Sequence, residues 1–122
     1  MSRIAIPVDN QADLESVPSG HFGHTAFFTV VEINDENGNI LKQEFVANPP
    51  HEMGGCMMPV QLLADNKADF IVVGGIGMRP LMGFMQMGIT VKHNSDGYGT
   101  VGEIIKNFDK LPVIQNSTCN HG

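Results

Sequence analysis

The second half of the chain alternates short apolar runs with segments of helical periodicity. Phe70–Val73 (FIVV) and Ile89–Lys92 are typical of short buried strands. Helical patterns begin at Met57, cover Arg79–Met87 and return over Thr100–Phe108. Strands that alternate with helices imply right-handed crossovers between parallel strands. This half of the chain therefore predicts an α/β sheet.

The first third of the chain adds three more strands. Arg3–Val8 is a short apolar run, and Ala26–Ile33 is β-branched and aromatic. Ile40–Val46 follows across the pair Asn37-Gly38, which is a hairpin signal. The predicted order is β-β-β-α-β-α-β-α. We expect a single mixed five-stranded sheet with flanking helices and an antiparallel hairpin at one edge.

Length and composition fit one folded domain. The chain has 122 residues, of which 42% are hydrophobic and 16% charged, enough apolar material for one core. We expect a domain over residues 1–110, followed by an extended C-terminal tail over 111–122. The two cysteines, Cys56 and Cys119, are far apart and are expected to be thiols.

Charge and hydropathy argue against two classes of partner. The net charge is −6, and the sequence contains no basic stripe of the kind that nucleic-acid binders carry. No apolar run approaches the roughly 18 residues that a transmembrane helix needs. We expect a cytoplasmic protein with neither a nucleic-acid nor a membrane partner.

The loops that follow parallel strands are the expected place for a site. Ligands of open α/β sheets bind outside the carboxyl ends of the strands. Those loops are Asp9–His24, Gly74–Arg79 and His93–Gly99, and the irregular loop Asn48–Pro59 precedes a helix. Gly74, Gly75 and Gly77 form either a tight strand-to-helix turn or a cradle for a ligand. Arg79, which follows them, is suited to an anion.

Histidine and sulfur side chains in these loops raise the question of a metal. His21 and His24 lie in one glycine-flanked segment, and Cys56 is followed by Met57. Soft sulfur donors favour copper(I) or iron–sulfur and molybdenum–sulfur species over magnesium. The candidate metal ligands are therefore His21, His24 and Cys56. A lone histidine such as His93 is expected to be a hydrogen-bonded loop residue.

Methionines also recur near helical spacing in the second half of the chain. Met78, Met82, Met85 and Met87 occupy one predicted helix and its end. We interpret them as flexible filling of the core, with Gly88 ending the helix.

Three motifs together resemble the dinitrogenase iron–molybdenum cofactor biosynthesis family, which includes NifX-like proteins, the C-terminal part of NifB-like proteins and the orange protein of sulfate reducers. They are RIAIPVDN at the start, GHFGH before the second strand, and GGIGMRPLMGFMQMGITV around the glycine cluster. The resemblance covers nearly the whole chain. It implies a ribonuclease-H-like fold that serves as a carrier or scaffold and not as an enzyme.

The resemblance also implies a cargo and a ligand. Its cargo is a metal–sulfur cluster, iron–sulfur or molybdenum-containing, exchanged with donor and acceptor proteins. The histidine of the HFG triplet is His21, next to Phe22 and Gly23. Backbone groups of Gly75 and Gly77, together with Arg79, are expected to balance the charge of the cluster. Cys56 and Met57 are expected to add a soft contact.

Other functions remain open from the sequence. The same glycine-rich face would also suit a metal-free module that binds an anionic small molecule or a protein partner. A hydrolase of the ribonuclease-H-like type would need clustered carboxylates, of which Asp9 alone stands at a suitable strand end. An exposed hairpin edge leaves a homodimer open.

Overall fold

The protein is described here by a computed structural model covering residues 1–19, 25–47 and 57–114, with residues 57–59 described by their backbone. The strands are β1 (Ser2–Val8), β2 (Phe27–Ile33), β3 (Ile40–Ala47), β4 (Phe70–Val73) and β5 (Thr90–His93), and the helices are α1 (Met57–Asp65), α2 (Met78–Gln86) and α3 (Val101–Lys106). Short 3₁₀ turns cover Asp13–Glu15 and Phe108–Lys110. This sequence of elements confirms the predicted β-β-β-α-β-α-β-α order.

The five strands form one mixed sheet in the order β3-β2-β1-β4-β5. β1 pairs antiparallel with β2, and β2 pairs antiparallel with β3. On the other side, β1, β4 and β5 run parallel. The prediction of parallel strands in the second half and an antiparallel hairpin at the edge is confirmed.

The turn between β2 and β3 follows from its Asn-Gly pair. Gly38 has φ +74°, in the left-handed region that glycine adopts without a steric penalty. The backbone N–H of Asn34 donates to the carbonyl of Asn39 at 2.8 Å, which closes the turn. The local sequence therefore fixes the register of this hairpin.

Helices cover both faces of the sheet. On one face α1 and α2 pack through Val60, Leu63, Leu81 and Phe84. On the other face α3 packs through Val101, Ile104 and Ile105. Residues 4–8 of the central strand β1 are all buried, because both faces of that strand are covered.

The methionines of α2 do not fill the core, so that interpretation of the sequence is wrong. Met78, Met82 and Met85 are 48%, 50% and 53% exposed, and Met87 is 44% exposed. The opposite side of the helix is the buried one, and it carries Pro80, Leu81, Gly83 and Phe84. Gly88 has φ +76° and directly follows Met87, the C-cap residue of the helix, as the prediction of a glycine end required.

The folded unit continues past residue 110. Leu111 and Ile114 are buried, and Val113 forms an antiparallel bridge with Lys92 on β5. The N–H of Ile114 donates to the carbonyl of Val91 at 2.8 Å. Of the predicted tail, residues 111–114 are thus packed against the outer side of β5, and 115–122 lie outside the described residues.

Within the described ranges, the structure contains no helix with the length and apolar character needed to cross a membrane.

Candidate functional site

The carboxyl ends of three neighbouring parallel strands meet at one edge of the sheet. These ends are Val8 of β1, Val73 of β4 and His93 of β5. Ala47, the last residue of β3, lies at the same edge, because it pairs with Phe27, which pairs with Val8. We call this side of the molecule the carboxyl edge. It collects the loops in which the sequence predicted a site.

The loop after β1 is folded back onto the end of that strand. The N–H of Asp9 donates to the carbonyl of Val17 at 2.9 Å, and the N–H of Ser19 donates to the carbonyl of Pro7 at 2.7 Å. Thr25 is buried, and its hydroxyl donates to the carbonyl of Val8 at 2.6 Å. The described chain on both sides of segment 20–24 is therefore attached to the end of β1.

The predicted ligands in this segment lie outside the described residues. These are His21, Gly23 and His24. Cys56 also lies outside them, and Met57 is described only as the first backbone position of α1. α1 ends next to the amino end of β1, where the carbonyl of Asn66 accepts a bond from the Arg3 guanidinium at 3.1 Å. The start of α1 is consequently directed towards the carboxyl edge.

The glycine-rich loop connects β4 to the start of α2. Gly74 is exposed, and its carbonyl is 3.0 Å from Nε2 of His93, which donates to it when that nitrogen carries the proton. Ile76 is buried and secures the loop to the core. His93 is thus hydrogen-bonded, as predicted, but it is the last residue of β5 and not a loop residue. Since a Cβ on Gly74 would meet nothing within 4 Å, the fold itself does not require glycine at that position.

The start of α2 is a place where negative charge is stabilised. Gly77 is the N-cap residue, and no side chain caps the helix. The backbone N–H groups of Met78 and Arg79 in the first turn have no partner within the helix, and the helix dipole is positive at this end. The guanidinium of Arg79 is exposed and forms no ion pair with any described carboxylate. Gly75, Gly77 and Arg79 are therefore brought together at the carboxyl edge.

A recess of about 170 Å³ lies beside the end of β4. Its lining includes Ser19, Gly74, Asn94 and Tyr98. Ligand pockets usually measure about 300–1,000 Å³, so this recess by itself is smaller than a typical ligand site. Ser19 immediately precedes the segment that contains His21, so this recess adjoins the predicted ligand segment.

Sequence reasoning did not single out Asn94 and Tyr98. The side-chain oxygen of Asn94 accepts a bond from the Tyr98 N–H at 2.9 Å, and its amide donates to the Tyr98 carbonyl at 3.1 Å. The Tyr98 hydroxyl donates to Oδ2 of Asp96 at 3.2 Å. An asparagine directly after a strand, four residues before the chain's one tyrosine, was the available signal.

Tyr98 should titrate above its usual value of 10.0. Burial raises the pKa of Tyr98, and the hydrogen bond to Asp96 and the charges of Asp96 and Glu103 raise it further. The unfolded chain releases this proton first, so the free energy of unfolding falls as pH rises from about 10.0 to the pKa of Tyr98 in the folded protein.

Because the chain has one tyrosine and no tryptophan, ultraviolet absorbance of tyrosinate reports Tyr98 alone. We expect Asp96→Asn to move the midpoint of the Tyr98 titration partway down towards 10.0. An unchanged midpoint would contradict the inference that Asp96 raises the pKa of Tyr98.

Among the residues that the structure describes, no group of three or more His, Cys, Asp or Glu side chains is placed to hold a metal ion. Asp9 is exposed at the end of β1, where a metal-dependent hydrolase of this fold would need an acid. At the carboxyl edge the start of α2 and Arg79 are suited to an anion, whereas Asp9 carries negative charge at the end of β1.

Comparison with known proteins places the chain among small α/β proteins. The NMR structure of a NifB-like protein from Thermotoga (TM1290), of the DUF35 family, is 26% identical with a TM-score of 0.74, covering 99% of this chain and 100% of that one. The crystal structure of PH0822 is 29% identical with a TM-score of 0.76, covering 93% and 96%. The apo orange protein from Desulfovibrio gigas is 22% identical with a TM-score of 0.80, covering 97% of each chain, and shares the fold.

No curated protein sequence gives a significant match to the chain. The sequence profile described as "Dinitrogenase iron-molybdenum cofactor" matches residues 2–111, from the first strand to the residue after the last 3₁₀ turn. This match spans both faces of the sheet and every loop at the carboxyl edge. The chain therefore belongs to the dinitrogenase iron–molybdenum cofactor family.

Proposed function

We propose that this protein binds a metal–sulfur cluster and delivers it to other proteins, without catalysing a reaction itself. The observation that carries the proposal is the composition of the carboxyl edge. There the uncapped start of α2 and Arg79 lie on the same edge as the attachment points of the segment that contains His21. Membership of a family named for the iron–molybdenum cofactor supports a cargo of this class.

Each group has a distinct part in the proposed binding. Metal–sulfur clusters with exposed sulfides are anionic, and the N–H groups of Met78 and Arg79 with the Arg79 guanidinium would balance that charge. His21 would supply a neutral imidazole to one exposed metal. Cys56 and Met57 would add soft contacts. A single imidazole ligand suits a carrier, because donor and acceptor proteins must exchange the cluster.

One observation favours a second candidate, a module that binds an anionic small molecule without metal. The uncapped start of α2 and the exposed Arg79 would stabilise an anion whether or not that anion contains a metal. The two candidates differ in whether His21 is needed. Anion binding through α2 would persist in His21→Ala, and cluster binding would not.

Anaerobic reconstitution separates these candidates. The protein is incubated with iron and sulfide, or with tetrathiomolybdate, and the metal retained after desalting is measured. We expect near-stoichiometric retention by the unmodified protein and a loss of about tenfold or more in His21→Ala, as for removal of a metal-site interaction. Fluorescence of Tyr98 gives a second readout, since this residue lines the adjoining recess.

His24→Ala is the matched control, because it removes the other imidazole of the same short segment. Retention that falls equally in both variants would assign the metal to the pair, His21 and His24. Retention that falls in neither would move the ligand to Cys56, which Cys56→Ser then tests. If the unmodified protein retains no metal after either treatment, the carrier proposal fails and the metal-free module takes its place.

A further inference from the structure

Among the described strands, the hairpin strand β3 lies at the edge of the sheet. It is the first strand in the order β3-β2-β1-β4-β5, and none of the described residues pairs with its outer side. The carbonyl of Glu44 accepts a bond from the Thr29 hydroxyl on β2 at 2.9 Å, so it points into the sheet. Backbone groups alternate in direction along a strand, so those of Gln43 and Phe45 point outwards. This outer side is a template for another strand.

Residues at equal distances on either side of Gln43 in β3 are chemically complementary, either opposite in charge or both apolar. Reading outwards from Gln43, Lys42 is matched by Glu44, Leu41 by Phe45, and Ile40 by Val46. If two copies pair antiparallel with Gln43 facing Gln43, each Lys42 therefore faces a Glu44 of the other copy. The apolar end of the strand at Phe45 and Val46 then lies next to the apolar end at Ile40 and Leu41 of the other copy, where the ladder with β2 is irregular. Opposite charges and apolar pairs directly across two strands stabilise their pairing.

The charges also discriminate between registers. Shifting one strand by two residues along the other keeps the same backbone groups available for pairing. These two neighbouring registers place Lys42 opposite Lys42 or Glu44 opposite Glu44. Like charges directly opposite one another destabilise a strand pair. The Gln43-centred register is thus the one that satisfies both the hydrogen-bonding direction and the charges. Specificity of this kind comes from repulsion in the wrong arrangement.

The side chains that would enter this contact are accessible. Ile40 and Leu41 are 37% and 49% exposed. The ladder shifts between Glu32 and Ile33, so Leu41 has no opposite residue on β2. Within one chain, Nζ of Lys42 lies 3.5 Å from Oε2 of Glu44. This ion pair is exposed to solvent and is therefore weak. Lys42 is therefore available to a second copy, and Glu44 would meet it while also lying 3.4 Å from the Arg3 guanidinium.

We propose that two copies of this chain associate through β3, antiparallel and centred on Gln43, so that their sheets become continuous. The contact lies on the far side of the sheet from β5 and uses no predicted ligand of the carboxyl edge. Association is isologous, with the same surface on both copies, and it closes as a dimer. It would leave the glycine-rich loop of each copy free.

Sedimentation across a concentration series tests this proposal. We expect a reversible dimer for the unmodified protein. Lys42→Glu converts both facing pairs into like-charge pairs and should weaken the dimer by about tenfold. The double variant Lys42→Glu/Glu44→Lys restores opposite charges with reversed polarity and should recover association. A monomer at all concentrations, or a Lys42→Glu dimer as tight as the unmodified one, would overturn the proposal.

The Lys42→Glu/Glu44→Lys variant also disturbs an ion pair within the chain, because Glu44 lies 3.4 Å from the Arg3 guanidinium. A second pair of variants therefore tests the backbone contact without changing a charge. Gln43→Pro removes the outward N–H while leaving the β2 ladder intact, since proline is tolerated at strand edges. Gln43→Ala is its control, because it loses the same side-chain bonds to Thr29 and Asp13 but keeps that N–H. We expect Gln43→Pro to be monomeric and Gln43→Ala to remain dimeric. Equal association of these two variants would contradict the proposed pairing.

Discussion

Replacing Phe84 with alanine is expected to lower the free energy of unfolding by about 3–5 kcal/mol. Phe84 is fully buried on the inner side of α2, in the cluster that joins this helix to α1 and to β4. Removing the ring loses its transfer free energy and leaves a cavity that the surrounding side chains can only partly fill. Urea unfolding, followed by circular dichroism, measures the loss as a shift of midpoint at constant slope.

Met85 provides the matched control, because it is the next residue of the same helix and is 53% exposed. Met85→Ala also removes a large apolar side chain, but one that does not lie in the core. We expect a change within about 0.5 kcal/mol. A similar loss in both variants would mean that the buried and exposed sides of α2 have been assigned wrongly.

The strands and their directions could be predicted because local signals determine them. Short apolar runs bounded by turn residues predicted β1, β4 and β5, and the Asn37-Gly38 pair predicted the β2–β3 hairpin. The parallel arrangement followed from the helices between strands, since crossovers of one hand permit few alternatives. In these cases the information lies within a few residues of the element that it determines.

The side of α2 that faces the core could not be predicted with the same rules. Apolar residues occur on both sides of this helix, so periodicity alone did not distinguish the Met78–Met82–Met85 stripe from the Leu81 and Phe84 side. The packing of residues 111–114 also depends on a distant partner, the free edge of β5. Contacts between segments far apart in the chain leave no local pattern to interpret.

Some features of the candidate site could also be predicted from the sequence, and others could not. The general rule for α/β sheets predicted that loops after β1, β4 and β5 would meet, and the structure places Gly74, Arg79 and His93 at that edge. The rule did not predict that Tyr98 lies beside this site. The position of Tyr98 depends on the Asn94 side chain, which bonds to both the N–H and the carbonyl of Tyr98. Nor did the rule indicate that Ser19 and Thr25 attach to the end of β1, because those bonds join a loop to backbone carbonyls of another element.

The second large effect is expected from Thr25→Val, which keeps the shape of the side chain but removes the hydroxyl that bonds to Val8. Loss of a bond to a buried carbonyl should cost about 1–3 kcal/mol in the free energy of unfolding. Under the proposed function it should also reduce cluster retention, because Thr25 holds the described chain next to the segment that contains His21. Urea unfolding and retained metal are measured on the same sample.

Thr29→Val separates the two effects. Thr29 is also buried, and its hydroxyl also donates to a backbone carbonyl, that of Glu44 at 2.9 Å, while it accepts a bond from the Gln43 side-chain amide at 2.9 Å. It lies further along β2, away from the carboxyl edge, so its removal should reduce stability without reducing retention. Equal retention losses in both variants would attribute the effect to stability alone and leave Thr25 no part in positioning the ligand segment. A retention loss confined to Thr25→Val would connect the bond between Thr25 and the end of β1 with binding, provided that urea unfolding gives the two variants similar losses of stability.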